Sequence, residues 1–359
     1  LCLFLKNWVN SKNTDLLRYM TSPPRLAGEW EQQAGVLISW PTRSTDWRDN
    51  FADAEATYLE LAVIIARINH LYICCDDLTT RQRVQKLLTA EDLPTDRYDL
   101  FIIPYNDTWT RDYGPISVYR ENAVAWLNYE FNAWGGKFAH QQDNQLTQSL
   151  HQHFSDTRIL QNIDFVLEGG SIDSDGAGTV LTTSQCLLDH ARNPSLSKEQ
   201  IEEKLKSSLG IQRVLWLDHG HLEGDDTDAH IDTLARFCSA ETITYVQCTD
   251  PADAHFESLS AMEKQLKSFH RLDGQGYRLI PLPLPTACFN QAGQRLPASY
   301  ANFLILNGHV LAPVYGVNTD SSALAQLQQC FPDHDIAPVQ CRSLIEQSGS
   351  LHCITMQML

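Results

Sequence analysis

Four stretches patterned as β-hairpins begin near residues 116, 171, 231 and 303, and this recurrence constrains the fold more than any other feature of the 359 residues. The paired runs are Ile116–Tyr119 with Ala123–Asn128, Ser171–Asp173 with Gly178–Thr183, Ile231–Cys238 with Thr242–Gln247, and Phe303–Leu306 with Val310–Tyr315. Asn307-Gly308 stands at the last turn, a strong short-range hairpin signal. Apolar periodicity near 3.6 predicts helices at 51–68, 79–89, 140–154, 197–209, 254–269 and 320–330, and Ser197 with Gln200 fits a capping box at one start. Helix, short strand, loop and hairpin follow in the same order each time. Spacings of 55, 60 and 72 residues are too regular for an arbitrary mixture and too loose for a solenoid, which reads as a repeated supersecondary unit. A fifth unit would be split, with helix 320–330, a strand near 335–340 and the run 351–357 completed by Ala34–Trp40 from the other end. Such sharing closes a ring. The alternative is an ordinary α/β domain with a few antiparallel hairpins, and spacing does not decide between them.

Charge narrows the partners. The chain carries 27 Lys plus Arg against 44 Asp plus Glu, a net −17, which repels phosphate backbones and anionic lipid heads and attracts small cations. Nucleic acid and membrane are therefore not expected partners, and no apolar run approaches the roughly 20 residues of a spanning helix. Ten cysteines are scattered without a Cys-x-x-Cys, and only Cys74 and Cys75 lie close, so the expectation is reducing cytoplasm and mostly buried thiols. Residues 1–19 precede the patterned region, and Met20 is a candidate start. The expected division is an extension, 1–19, and one domain, 20–359.

The segment 219–232, HGHLEGDDTDAHID, is the densest ionisable cluster. His219-x-His221 is a candidate metal pair, but Glu223 and Gly224 stand where a binuclear zinc pattern needs Asp and His. Asp225, Asp226 and Asp228 could simply decorate a solvated turn. A third reading starts a strand at His230, so that His230 and Asp232 share a face and enter one pocket. By the same rule, Cys353 shares a face with Leu351 and Thr355, which points His352 away from it. NDTWTRDYGP (Asn106–Pro115) and LEGG (Leu167–Gly170) also sit just before hairpins. Asp107, Arg111 and Asp112 could form a surface salt-bridge knot, and Glu168 could cap a turn. In a closed ring, however, these edges converge. A Cys, a His, a Glu and two Asp would then combine a nucleophile, a general base and carboxylates for a cation.

Taken together, GEWEQQAGVLISWP (Gly28–Pro41), NDTWTRDYGP, FNAWGGKF (Phe131–Phe138), LEGGSID (Leu167–Asp173), GDDTDAHID (Gly224–Asp232) and GSLHCITMQ (Gly349–Gln357) resemble agmatine deiminases and the bacterial-type peptidylarginine deiminases of the same family. The resemblance implies the pentein fold, an α/β-propeller of five ββαβ-like units around a pseudo-fivefold axis. It implies hydrolysis of agmatine to N-carbamoylputrescine and ammonia through an S-alkylthiouronium on Cys353. His230 would be the acid and base, with Glu168 hydrogen-bonded to it and raising its pKa. Asp112 and Asp232 would hold the guanidinium, and Trp109 would wall the substrate chain; an acid at the far end would favour agmatine, and Asp226 is the candidate for it. No metal or organic cofactor is implied, and a homodimer is left open. The chain departs from the family pattern at Ala229, where Gly is frequent, and at Gly349-Ser350, where a Gly triplet is frequent. Deimination of peptidyl-arginine or free arginine is the alternative, followed by amidino transfer, a non-catalytic guanidine binder and, more remotely, a zinc-dependent hydrolase.

Overall fold

The computed structural model describes residues 22–121, 123–154 and 158–359, so the expected extension 1–19 and start at Met20 lie outside the described residues. In chain order the first elements are β1 (Arg25–Leu26), β2 (Gly35–Ser39), α1 (Phe51–Ile68), β3 (His70–Cys75), α2 (Leu78–Ala90) and β4 (Tyr98–Ile102). Then come β5 (Ile116–Arg120), β6 (Ala123–Glu130), α3 (Asp143–His151), β7 (Ile159–Val166), β8 (Ile172–Ser174), β9 (Thr179–Thr183), α4 (Lys198–Leu209) and β10 (Arg213–Leu217). The rest are β11 (Ala235–Ser239), β12 (Thr242–Gln247), α5 (Phe256–Leu266), β13 (Arg278–Pro283), β14 (Leu304–Leu306), β15 (His309–Val314), α6 (Asp320–Cys330), β16 (Asp335–Gln340) and β17 (Met356–Met358).

These strands form five sheets with one shared connectivity. In four of them an antiparallel hairpin is followed by a helical crossover to a third, parallel strand: β5-β6-α3-β7, β8-β9-α4-β10, β11-β12-α5-β13 and β14-β15-α6-β16. The fifth joins the two ends of the chain, with β17 antiparallel to β2 and β2 parallel to β3 across α1. The sequence placed helix 320–330 and strand 335–340 in this split unit. They belong to the β14-β15 sheet instead, because α6 is the crossover that carries β15 to its parallel partner β16. The missing crossover is α1, followed by a second, α2, to β4.

Parallel strands covered on both faces read as continuous apolar runs, and all five residues of β2, GVLIS, are buried. Each long helix buries one stripe on its sheet; α4 buries Ile201, Leu205 and Leu209 and exposes its charged face. Its capping box forms as expected, with Ser197 and Gln200 exchanging side-chain and backbone bonds, and Gly210 ends it in the left-handed region. A Cβ there would lie 1.6 Å from the Pro24 carbonyl oxygen, so glycine is required. Nine cysteines among the described residues are free thiols; Cys330 is half-buried and the other eight are buried. No described helix is long and apolar enough to cross a membrane.

Candidate active site

Residues just ahead of three hairpins and of β17 meet in the interior. The single-turn helix Thr110–Tyr113, which ends at Gly114 before β5, carries Asp112. Leu-Glu-Gly-Gly leads into β8 through a short 3-10 turn, Gly169–Ser171. Its glycines are explained by close approach. A Cβ on Gly169 would lie 2.2 Å from the Arg111 carbonyl oxygen; one on Gly170 would lie 2.7 Å from His230 Nδ1, 2.8 Å from Asp112 Oδ1 and 3.1 Å from Asp232 Oδ2. Three of the expected residues thus surround one point. Cys353 adjoins them, with its Sγ 3.9 Å from Asp232 Oδ2, and Glu168 Oε2 lies 4.0 Å from His230 Nε2.

Local geometry differs from the expected strands. His230 and Asp232 flank and occupy a 3-10 turn, Ile231–Thr233, and β11 begins only at Ala235. The turn is set by Asp225, whose carboxylate accepts from the Thr227 hydroxyl at 2.6 Å and the Ala229 N–H at 2.7 Å. Asp225 is therefore a structural acid of the loop. Asp228 and Ala229 both have positive φ, 68° and 65°, which explains why glycine is favoured at the second position. Cys353 lies in a turn, and strand pairing begins at Met356, so the period-2 argument that sent His352 away does not apply. His352 is buried beside Asp232, its Nδ1 2.8 Å from Asp232 Oδ2. The surface knot at Asp107, Arg111 and Asp112 is also excluded, since Arg111 and Asp112 are buried.

Glu168 departs most from expectation. It takes two bonds from Arg192 Nε, at 2.9 and 3.1 Å, while neither ring nitrogen of His230 has a hydrogen-bond partner. His230 Nδ1 is 3.6 Å from Asp112 Oδ1. Burial pushes His230 down to about 3, the reverse of the expected rise, so the ring is a neutral acceptor at pH 7. Burial, then the Asp232 and Glu168 charges, drives Asp112 well above the usual carboxylate range. Its oxygens accept from the Gly170 N–H at 3.0 Å and Trp134 Nε1 at 2.9 Å. Burial also raises Asp232, but His352 outweighs it and leaves the carboxyl below its ordinary value. Cys353 is pushed well up by burial and by Asp232 and Asp112.

A pocket of about 490 Å³ opens onto Cys353 and Asp112. Trp109, Trp134 and Phe138 wall it, and Asp46, Asp107 and Asp226 line it with Asp112; no Arg or Lys is among its lining residues. Trp109 sits over Gly349, where a Cβ would be 2.1 Å from the ring, and donates to Asp107 Oδ2 at 3.1 Å. Ala133 to Gly136 run left-handed, a path two glycines ease, and this turns Trp134 onto Asp112. Burial and Asp225 raise Asp226 to about 6, against the Lys137 charge. Burial raises Asp107 to about 7. A separate cavity of about 610 Å³, lined by Glu29, Arg111, Asp173 and His352, includes neither Cys353 nor Asp112.

Among the described residues, Glu168, Cys186 and His230 offer ligand atoms within 4.8 Å of one another, but Arg192 already holds Glu168. His219 and His221 are exposed and stand outside that cluster. Sequence reasoning missed Arg192, Glu29, Arg236 and Asn302. Asn302 Nδ2 contacts Cys353 Sγ at 3.3 Å from 51 residues away, and no spacing rule marks it. Glu29 and Trp134 fall in stretches that carried the resemblance, which was their one available signal.

The chain matches the family profile described as Porphyromonas-type peptidyl-arginine deiminase over residues 25–358. A Vibrio parahaemolyticus protein provisionally named an agmatine deiminase is 35% identical, covering 92% of this chain and 95% of its own. A crystal structure from Porphyromonas gingivalis, provisionally named an arginine deiminase, is 45% identical with a TM-score of 0.86, covering 93% and 98%. A Cys-to-Ser form of C. jejuni agmatine deiminase with substrate bound is 33% identical with a TM-score of 0.86, covering 93% and 96%. The mixed α/β fold and nearly the whole chain are shared, and this protein belongs to the Porphyromonas-type peptidyl-arginine deiminase family.

Proposed function

We propose that this protein is an agmatine deiminase, hydrolysing agmatine to N-carbamoylputrescine and ammonia. The observation that carries the reading is the pocket, which is lined by acids from Asp112 to Asp226, walled by aromatic rings and free of lining Arg or Lys. A guanidinium joined by an apolar chain to a second cation fits it. Free arginine would bring a carboxylate among those acids. The agmatine deiminases named among the relatives support the same substrate.

In the proposed mechanism, Asp112 and Asp232 accept hydrogen bonds from the guanidinium and orient its carbon toward Cys353 Sγ. Such charge-assisted bonds are each worth about 1.5–3 kcal/mol. The arriving cation cancels the two carboxylate charges that disfavour the Cys353 thiolate. His230, neutral and unpartnered, takes the thiol proton as sulfur attacks the carbon. It returns that proton to the departing nitrogen, which leaves as ammonia, and an S-alkylthiouronium stays on Cys353. Then His230 deprotonates water, hydroxide adds to the same carbon, and the C–S bond breaks to release the ureido product; one of the two water protons restores the thiol and the other leaves with the ammonia as ammonium, returning His230 to its neutral form. Trp109 flanks the chain, and Asp226 with Asp107 faces the far ammonium. Glu168 acts electrostatically, with its charge shared by Arg192.

The reading extends to five ββαβ-like units around a pseudo-fivefold axis in one domain of residues 20–359, supported by the shared connectivity of the five sheets. It also extends to a cytoplasmic role supplying putrescine, which the free buried thiols suit. A panel of agmatine, arginine and a blocked arginyl peptide, scored for ureido product, tests the substrate. Preferred turnover of the peptide would replace agmatine with peptidyl-arginine. Cys353→Ser should fold and be inactive; quenched wild type should carry a covalent adduct by mass spectrometry, and His230→Ala, lacking the proton carrier of the first step, should carry none. An active Cys353→Ser would remove the mechanism.

A further inference from the structure

His352, next to the nucleophile in sequence, is clamped by two carboxylates. Its Nδ1 lies 2.8 Å from Asp232 Oδ2 and its Nε2 lies 2.8 Å from Glu29 Oε2. Glu29 also accepts from Arg236 Nη2 at 2.7 Å and from the Ile305 N–H at 2.8 Å. All of these side chains are buried. Burial pushes Glu29 up, but Arg236 and His352 outweigh it and hold the carboxyl well below the usual range. Asp232 is held low in the same way. An ionised carboxylate only accepts hydrogen bonds, so a ring meeting one at each nitrogen must donate from both.

The other Asp232 oxygen, Oδ1, is buried and has no hydrogen-bond partner. With Oδ2 held by the ring, Oδ1 is the carboxylate oxygen that no protein donor occupies. Neither nearby arginine bonds to Asp232: Arg236, which acts on it only through space, binds Glu29, Asp173 and the Phe303 carbonyl, and Arg111 donates to Gln357 and the His352 carbonyl. The remaining groups facing Asp232 are Asp112, His230 and Cys353, and none of them donates to Oδ2 from closer than 3.9 Å. The clamp shares its scaffold with the nucleophile, since Asn302 Oδ1 accepts from the His352 N–H at 2.8 Å while its amide contacts Cys353 Sγ.

We propose that His352 is a positioning residue: a doubly protonated ring between Glu29 and Asp232 that keeps Asp232 ionised and, by holding Oδ2, leaves the other oxygen free to accept from the substrate's guanidinium. The inference rests on the reading of Asp232 as a guanidinium acceptor. It reverses the sequence expectation, which gave His352 no place in the site.

The test is His352→Gln in the full chain, which keeps an N–H donor and removes the charge. KM for agmatine should rise on the order of tenfold, with kcat changing less. The pH profile carries the distinction. In the wild type Asp232 stays ionised down to low pH; without the His352 charge the main opposition to its burial is gone, only the weaker pull of His230 and Arg236 remains, and it protonates at higher pH. Read with butylguanidine, which lacks the far ammonium that Asp107 and Asp226 face, the acidic limb of kcat/KM therefore moves up by about one pH unit. A uniform loss at every pH, with an unshifted limb, would overturn the proposal. Neutron diffraction from wild-type crystals at neutral pH reads the protonation of the ring directly, even where the variant does not fold. Deuterium on both His352 nitrogens is expected, and its absence from either one overturns the clamp. Wild-type protein inactive on agmatine would instead remove the functional reading, leaving the neutron result to judge the clamp alone.

Discussion

Gly170→Ala is the sharpest test of whether the site is one unit, because it adds a methyl group and removes no chemistry. Gly170 does not have a positive φ, so an alanine is not strained by its backbone. The added carbon would sit 2.7 Å from His230 Nδ1, 2.8 Å from Asp112 Oδ1 and 3.1 Å from Asp232 Oδ2. Ordinary contact begins near 3.4 Å, so the three side chains must retreat by several tenths of an ångström each. Overpacking of this kind costs about 1–3 kcal/mol of stability, and misplacing reacting groups by about 1 Å costs about 100-fold in rate. Displacements of a few tenths of an ångström fall short of that, so the expected result is kcat/KM for agmatine reduced at least about tenfold, with a melting temperature only a few degrees lower. Gly276→Ala is the control, since a Cβ there meets nothing within 4 Å. Steady-state kinetics and calorimetry on both variants decide the matter. A Gly170→Ala enzyme within about threefold of wild type would refute the claim that His230, Asp112 and Asp232 act around this point.

Arg192→Ala leaves Glu168 buried and unpaired, which should cost about 3–5 kcal/mol; an unmoved urea midpoint would argue against the pair. Asp107, at about 7, and Asp226, at about 6, gain charge as pH rises, so KM for agmatine should fall between about pH 5 and pH 8. For butylguanidine, which lacks the far ammonium, the fall should be smaller, and parallel KM profiles would place the second cation elsewhere. Dialysis against EDTA should leave activity intact; loss restored by zinc would revive the metal reading of His219 and His221.

The sequence alone determined the alternation of helices with hairpins, because 3.6- and 2-residue periods record which faces are buried. All six expected helices form, and β5-β6, β8-β9 and β14-β15 begin within a residue of their expected starts. It also determined the chemical identity of Cys353, His230, Glu168, Asp112 and Asp232, which side-chain geometry then gathers together. The third hairpin fails at its start because the left-handed Asp228-Ala229 turn and the 3-10 turn at Ile231–Thr233 interrupt any strand period before Ala235. What each ionisable group is bonded to was decided only by the tertiary structure. Glu168 meets Arg192 across 24 residues, Asp232 meets His352 across 120, and His352 meets Glu29 across 323. Periodicity describes neighbours along one element, whereas these partners are brought together by the ends of different sheets. Burial then fixes their charges, and so a histidine expected to be raised by a glutamate is instead held neutral in the interior.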